Sequence, residues 1–198
     1  MIPLPDSRHL LPNLSLTSEL KPDLTFQEYF AARYFVRKWT SRGQLRCLEL
    51  RSSDIKHTKP VSTDPISYLQ KHKYNGRYDI FWHFVAGLLS AKGGEETFCF
   101  FQALEDEPRD LLGPVHQRLV MHCLSEVALS QETRQFSQLR EHLEGQLKQW
   151  LLFECNFEFN NAGCSQLAAE MEFPEQILKD ILQKESEDLK WKIIMVGV

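Results

Sequence analysis

Residues 24–36 read LTFQEYFAARYFV, and this stretch predicts the beginning of an amphipathic α-helix. Thr25 and Glu28, three residues apart, match a capping box, in which the hydroxyl and the carboxylate each accept an otherwise unpaired backbone N–H. Apolar rings recur along the same helix at positions i, i+4 and i+8: Phe26, Phe30 and Tyr34. Ala31 and Phe35 widen this stripe. The spacing is typical of the face that a helix buries, so we expect the stripe to lie in the core.

Helical periodicity continues through most of the chain. The later segments in which apolar residues have helical spacing are 65–74, 78–90, 95–104, 114–130, 132–153, 164–171 and 174–182. Asp64-Pro65 predicts a capped helix start, and Gly93-Gly94 predicts a helix end. The segment 78–90 is apolar around most of its circumference and is therefore expected to be a central, buried helix.

Strand-type alternation of apolar and polar residues does not persist over any convincing length. Residues 44–63 are polar and ambiguous: the leucines and the cysteine of 45–50 are compatible with a short extra helix, and 57–61, around Pro60, with a loop. The predicted fold class is therefore all-α. The succession of helix pairs predicts an α-solenoid-like stack of antiparallel pairs, each burying its apolar face against its neighbours.

The composition is typical of a globular protein. Of the 198 residues, 42% are hydrophobic and 25% are charged, and the length suits one domain or two small ones. No apolar run reaches the roughly 18 residues needed to cross a bilayer. Residues 1–6, MIPLPD, lack the basic start and the long apolar stretch of a secretory signal. We therefore expect a cytoplasmic protein without a membrane span.

Charge is distributed unevenly. Residues 21–80 contain 12 Lys or Arg and 6 Asp or Glu, whereas residues 81–198 contain 10 and 19. A basic segment at 33–77 is one feature of nucleic-acid-binding proteins, but no recognition-helix or RNA-binding motif accompanies it. We therefore favour a solvated face or an intramolecular contact with the acidic half, and do not expect nucleic acid as a partner.

The cysteines and histidines show no metal-binding spacing. The five cysteines form an odd number without a C-x-x-C pair, which favours free structural thiols. His116 and His122 are six residues apart, so on one helix they point about 240° from each other and cannot share a small ion. We therefore expect no metal ligands.

No catalytic motif is present in the sequence. The chain lacks the phosphate-binding G-x-x-x-x-G-K-[ST], the nucleophile elbow G-x-S-x-G and the metalloprotease H-E-x-x-H. The acidic residues around Pro108 are interpreted as a solvated loop: Glu105, Asp106, Glu107 and Asp110. His83 is interpreted as a satisfied core or edge histidine, and a hydrolase built around His83 or His122 is a weaker hypothesis. We predict no catalytic or cofactor-binding residue.

Three motifs carry a resemblance to a known family. LTFQEYFAA at 24–32 resembles the motif that follows the nucleotide-binding core of NACHT-type STAND NTPases, the family that includes the NOD-like receptors. FVAGLLS at 84–90 resembles the "FxxGLL" helix of the helical domain that follows their winged helix, and LVMHCLSE at 119–126 is similar to their "hxHCLxE" helix. The remainder of the chain resembles HEAT-like helical repeats by pattern.

This resemblance implies three regions. Residues 1–23 would be an irregular remnant of the winged helix, 24–130 the NACHT-associated helical domain, and 131–198 HEAT-like repeats that are cut short. The residues expected to have structural roles are Thr25, Phe26, Glu28, Phe30, Phe84, Leu88, Cys123 and Leu124.

The family couples nucleotide exchange to ligand sensing, but this sequence lacks the Walker motifs, so NTPase activity is not carried over to it. The expected function is a non-catalytic helical scaffold that contacts protein partners or adjacent NACHT and winged-helix domains. The alternative is a nucleic-acid-sensing surface formed by the basic segment 33–77.

Overall fold

The structure, a computed structural model, describes residues 24–48, 60–110, 114–128, 133–156, 170 and 172–184. Within these ranges the helices are α1 (Leu24–Thr40), α2 (Pro65–His72), α3 (Asp79–Ser90), α4 (Gly94–Glu105), α5 (Val115–Ser125), α6 (Arg134–Asn156) and α7 (Glu175–Lys184). A short 3-10 helix spans Gly76–Tyr78, and two strands, β1 (Leu45–Leu48) and β2 (Pro60–Thr63), form one small sheet. The predicted all-α class is confirmed, whereas the solenoid stacking stays a prediction.

The helix α3 lies at the centre of the fold. It packs against α1, α4 and α5, and α6 in turn contacts α4 and α5. Trp82, Val85, Ala86 and Leu89 of α3 are fully buried, which confirms the predicted central helix, although Ile80 remains 45% exposed. None of the helices in the described ranges is both long and apolar enough to cross a membrane.

The predicted core face of α1 is correct at Phe35 but wrong at Phe26 and Phe30. Its buried residues are Ala32, Phe35, Val36 and Trp39, whereas Phe26 and Phe30 are exposed and Tyr34 is half-buried. The helix carries two apolar stripes, because Phe35 lies about 140° around the axis from Phe30. Phe35 and Trp39 face the core because they reach three rings of the neighbouring helices: Phe81, Trp82 and Phe100.

The capping box of Thr25 and Glu28 stays a prediction. Within the described residues α1 begins at Leu24, so both residues lie in the first turns of the helix, where the sequence signal places them.

The ambiguous segment after α1 contains strands rather than an extra helix. β1 and β2 pair antiparallel, with Leu45 opposite Thr63 and Leu48 opposite Pro60. Leu45 is buried on the core side, while Arg46 next to it is exposed, so the strand alternates as a half-buried strand does. The proline is tolerated because it lies at the end of a two-stranded sheet. Leu50 lies outside the described residues.

Several predicted helix ends are confirmed. The Asp64 side chain accepts the Ser67 N–H at 2.9 Å, and Pro65 occupies the first turn of α2. Gly93, between α3 and α4, has a φ of 144°, a conformation that side-chain-bearing residues rarely adopt. The lead-in 1–23, the predicted helix at 164–171 except for residue 170, and the apolar stretch 189–198 lie outside the described residues.

The second half of the described chain agrees largely with its apolar pattern. In α5, Cys123 and Leu124 are buried as predicted, whereas Val115 at its start is exposed. The predicted apolar side of α6 is buried at Phe136, Leu143 and Leu147. α7 follows Pro174, as its sequence predicts, and buries Ile177 and Ile181.

Candidate docking face and histidine cluster

The outer face of α1 is a continuous stripe of aromatic and basic side chains. We define it by Phe26, Phe30, Arg33 and Arg37, which at 100° per residue lie within about 60° of one another around the helix. Phe26 is 64% exposed and Phe30 is 60% exposed. Both arginines are exposed as well. The stripe therefore lies opposite the buried face of the same helix.

The half-buried side chain of Tyr29 supports this outer face. The Tyr29 ring packs edge-on against Phe30 at 5.7 Å and against Phe84 of α3 at 5.5 Å. The Arg33 guanidinium lies 5.9 Å from the centre of the Tyr29 ring. These contacts hold the exposed ring and the guanidinium in position without burying them.

The charge of the outer face is not neutralised locally. Among the described residues, no carboxylate lies within ion-pair distance of Arg33 or Arg37. Arg37 instead lies 5.7 Å from the centre of the Tyr34 ring. Its positive charge is therefore available to an incoming acidic group.

A second feature of the structure is a cluster of two histidines and a carboxylate between α3 and α5. Asp79 and His83 are one helical turn apart on α3, and His122 comes from α5. The two imidazole rings lie 4.7 Å apart, nearly perpendicular to each other. Asp79 Oδ1 lies 3.6 Å from His83 Nε2 and 4.0 Å from His122 Nδ1. We call these three residues the histidine cluster.

Among the described residues, the nitrogen atoms that face this cluster have no partner within hydrogen-bond distance. His83 Nε2 and His122 Nδ1 are both inaccessible, and both lack a partner. Their distances to Asp79 exceed the usual length of a hydrogen bond. An unpaired buried polar atom costs free energy, so the pair of unpartnered nitrogens calls for an explanation.

Glu170 determines which nitrogen of His122 carries the proton. Its Oε2 lies 2.6 Å from His122 Nε2, and its Oε1 accepts the Arg118 Nε–H at 2.5 Å. An ionised carboxylate can only accept, so Nε2 must carry the hydrogen. In the neutral ring this leaves a lone pair on Nδ1, which points toward Asp79 and His83.

The electrostatics of the cluster favour an ionised carboxylate. The interaction with His83, together with the charges of His122 and Arg118, lowers the pKa of Asp79 although partial burial opposes this shift. The Asp79 side chain is 47% exposed, whereas the His122 side chain is only 10% exposed. The cluster thus has a buried imidazole on one side and an accessible carboxylate on the other.

Sequence reasoning missed this cluster. His116 and His122 belong to separate networks, as their spacing predicts. The structure brings His83 close to His122, a pairing that no sequence pattern indicated. His83 is half-buried, in keeping with a core or edge histidine, but its Nε2 atom pairs with Asp79 only at 3.6 Å, which exceeds the usual length of a hydrogen bond. The sequence does show that Asp79 and His83 lie four residues apart, and therefore on the same side of a helix. The position of His122 beside them depends on how α3 packs against α5.

The other polar network joins the turn after α2 to α4 and α5. His116 is buried, and its two nitrogens lie 2.9 Å from the Tyr74 hydroxyl and 2.7 Å from Glu105 Oε1. Burial raises the pKa of Glu105, but the hydrogen bond from His116 and the charges of His116 and Arg109 outweigh it and lower the pKa overall. Glu105 is therefore a half-buried partner of His116 and not part of a solvated loop, which corrects the sequence interpretation. Asp110 is half-buried as well, whereas Asp106 and Glu107 are exposed as expected.

Comparison of the chain with protein-family models, with curated proteins and with solved structures finds no match. The functional argument therefore depends on the geometry of the outer face and of the histidine cluster.

Proposed function

We propose that this chain is a non-catalytic, cytoplasmic helical scaffold of the kind that follows the core of NACHT-type signalling NTPases, and that it docks an acidic amphipathic helix of a protein partner. The observation that carries the proposal is the exposure of Phe26 and Phe30 on a helix whose opposite face is fully packed. The three motifs described above supply the family context.

The aromatic part of the outer face has the character of an interface anchor. Phenylalanine and arginine are both enriched in protein–protein interfaces relative to the rest of the protein surface. Tyr29 holds the Phe30 ring from below, so that little conformational freedom of this ring is lost on binding. A partner helix with apolar residues at i, i+3 and i+4 can cover both rings with one face.

The basic part of the outer face selects the sign of the partner's charge. Arg33 and Arg37 continue the stripe beyond the two phenylalanines, and an acidic side chain flanking the partner's apolar residues can pair with either guanidinium. A second copy of this chain would place these arginines over phenylalanines if the two helices docked antiparallel, and against arginines if they docked parallel. In neither arrangement does the stripe itself supply a carboxylate to the guanidinium groups. We therefore infer an acidic partner and not a homodimer.

The test is a binding titration of two labelled helical peptides with leucines at i, i+3, i+4 and i+7, one with glutamates and the other with lysines at all other positions. The acidic peptide should bind the full chain, and Phe26→Ala with Phe30→Ala should weaken its binding at least tenfold, or about 1.4 kcal/mol. Phe153→Ala, which removes another exposed ring, is the matched control and should leave the affinity unchanged.

The role of the positive charge on the outer face is tested with a double variant, Arg33→Glu with Arg37→Glu. The control is Arg134→Glu, which reverses the charge of an exposed arginine on α6. The double reversal should shift the preference from the acidic to the lysine peptide. Equal binding by the wild type and the phenylalanine double variant, or no binding of the acidic peptide at all, would contradict the proposal.

Binding of a labelled single-stranded oligonucleotide distinguishes the proposed function from the alternative, a nucleic-acid-sensing surface. If the basic segment 33–77 forms a nucleic-acid surface, the oligonucleotide should bind in preference to the acidic peptide, and its affinity should fall steeply with salt. The structure weakens this alternative at one position, because Lys73 is buried and donates to the Leu104 and Asp106 carbonyls.

A further inference from the structure

We propose that Asp79, His83 and His122 bind a zinc ion, with Asp79 Oδ1, His83 Nε2 and His122 Nδ1 as its ligands. This inference is independent of the docking function, since it concerns a different part of the molecule. It starts from the two unpartnered, inaccessible nitrogens that face one carboxylate.

The separations of the three atoms fit a metal site that closes slightly on binding. Zinc bonds to imidazole nitrogen and carboxylate oxygen are about 2.0–2.1 Å long, so ligand atoms in a tetrahedral site lie about 3.3 Å apart. The two distances to Asp79 Oδ1 are 3.6 and 4.0 Å, and all three atoms lie within 4.8 Å of one another. Small rotations of partly exposed Asp79 and His83 suffice to bring them into range.

The type and the protonation of the ligands also fit zinc. Two imidazoles and one carboxylate are a ligand set that suits zinc and similar divalent ions. Calcium and magnesium fit it less well, because they favour oxygen ligands. Zinc binds the lone pair of a neutral imidazole, and Glu170 leaves that lone pair on His122 Nδ1. A carboxylate that holds the second nitrogen of a metal-binding histidine is a common supporting element of zinc sites.

A competing arrangement exists on the other side of His122. Its Nε2 atom and one oxygen each of Glu170 and Glu172 also lie within 4.8 Å of one another. There, however, the nitrogen is already hydrogen-bonded to Glu170, and the Arg118 guanidinium is 2.5 Å from the same carboxylate. The positive charge of Arg118 disfavours a cation at that position, so the geometry points to the Nδ1 side.

Zinc at this position would connect the central helix to its neighbours. Asp79 and His83 belong to α3 and His122 belongs to α5, so the ion would cross-link two packed helices. Through Glu170 the same site reaches the segment before α7. The exposed side of Asp79 leaves room for water as a fourth ligand, and an ion that binds only the folded chain raises its stability by mass action.

The direct test is calorimetric titration of the reduced full chain with zinc chloride near neutral pH, combined with Co2+ absorption as a spectroscopic probe of coordination. The wild type should bind one zinc ion, and the melting temperature should rise with the zinc concentration. Asp79→Asn and His83→Gln should each weaken binding by more than about a hundredfold, and Glu170→Gln by about 10- to 100-fold. His142→Gln, which removes an exposed histidine of α6, is the matched control and should change nothing.

Two results would overturn the proposal. One is the absence of zinc binding by the folded wild type. The other is unchanged zinc affinity in His83→Gln, which would indicate adventitious binding to other side chains such as the free thiols. Nitrogen-15 spectra of the wild type provide a measurement that needs no variant. Zinc should shift the His122 Nδ1 resonance most. A larger shift at Nε2 would place the ion beside Glu170 and Glu172 and would contradict the proposal.

Discussion

Phe30 and Phe35 show at the scale of single residues why the core face of α1 is predicted only in part. Both are phenylalanines on the same helix, but one is 60% exposed and the other 1% exposed. Helical spacing identifies stripes of apolar residues and does not identify which of two stripes meets the core. That choice depends on Phe81 and Trp82, whose position relative to α1 is a tertiary property.

The two phenylalanines should differ in their contribution to stability. Phe35→Ala removes a buried ring and should lower the free energy of unfolding by about 3–5 kcal/mol. Phe30→Ala should change it by no more than about 0.5 kcal/mol, as is usual for exposed positions. Urea denaturation of both variants measures the difference, and similar losses would show that Phe30 belongs to the core.

Lys73 should make stability depend on pH in alkaline solution. Burial lowers the pKa of Lys73 to about 8, from an ordinary value of 10.5, and nearby carboxylates only partly oppose this shift. Between these values the unfolded chain holds a proton that the folded chain has released, so the contribution of Lys73 to stability should rise with pH. The slope for one such proton is at most about 1.4 kcal/mol per pH unit.

The measurement is the difference in unfolding free energy between the wild type and Lys73→Met from pH 8 to 10. A difference is needed because burial raises the pKa of Cys123, which has the opposite effect on stability in this range. The unfolding free energy of the wild type should increase with pH relative to that of Lys73→Met. Lys92 is exposed, so the difference between the wild type and Lys92→Met should not change with pH. A difference for Lys73→Met that does not change with pH would contradict the lowered pKa of Lys73.

The start of α2 illustrates what sequence predicts well at the scale of an element. The Asp64-Pro65 pair predicts a capped start from chemistry within four residues, and the structure places the Asp64 oxygen on the Ser67 N–H. Local hydrogen bonding of this kind needs no information about the rest of the fold. The β1–β2 pair needs such information, because its partners are up to 18 residues apart and each strand has only four residues.

The cap should contribute measurably to stability. Asp64→Ala should lower the free energy of unfolding by about 1 kcal/mol, while Asp64→Asn, which retains an accepting oxygen, should lose less. Chemical denaturation of the two variants tests this order. An alanine variant as stable as the wild type would show that the hydrogen bond to Ser67 does not stabilise α2.

At the scale of the whole molecule, the sequence predicts the helical class, the central position of α3 and the buried sides of α5 and α6. It does not predict the histidine cluster, because Asp79 and His83 on α3 meet His122 only when α3 packs against α5. It also predicts a stripe of aromatic residues on α1 without predicting that the stripe faces outward. Both candidate sites therefore arise from packing between elements.

The central claim is that the outer face of α1 binds a partner and does not stabilise the fold. The most direct measurement is the affinity of the full chain for the acidic helical peptide, with and without the Phe26→Ala and Phe30→Ala substitutions, on samples whose unfolding free energies are also determined. We predict at least a tenfold loss of affinity at nearly unchanged stability. Equal affinities, or a loss of affinity that accompanies a large loss of stability, would contradict the account.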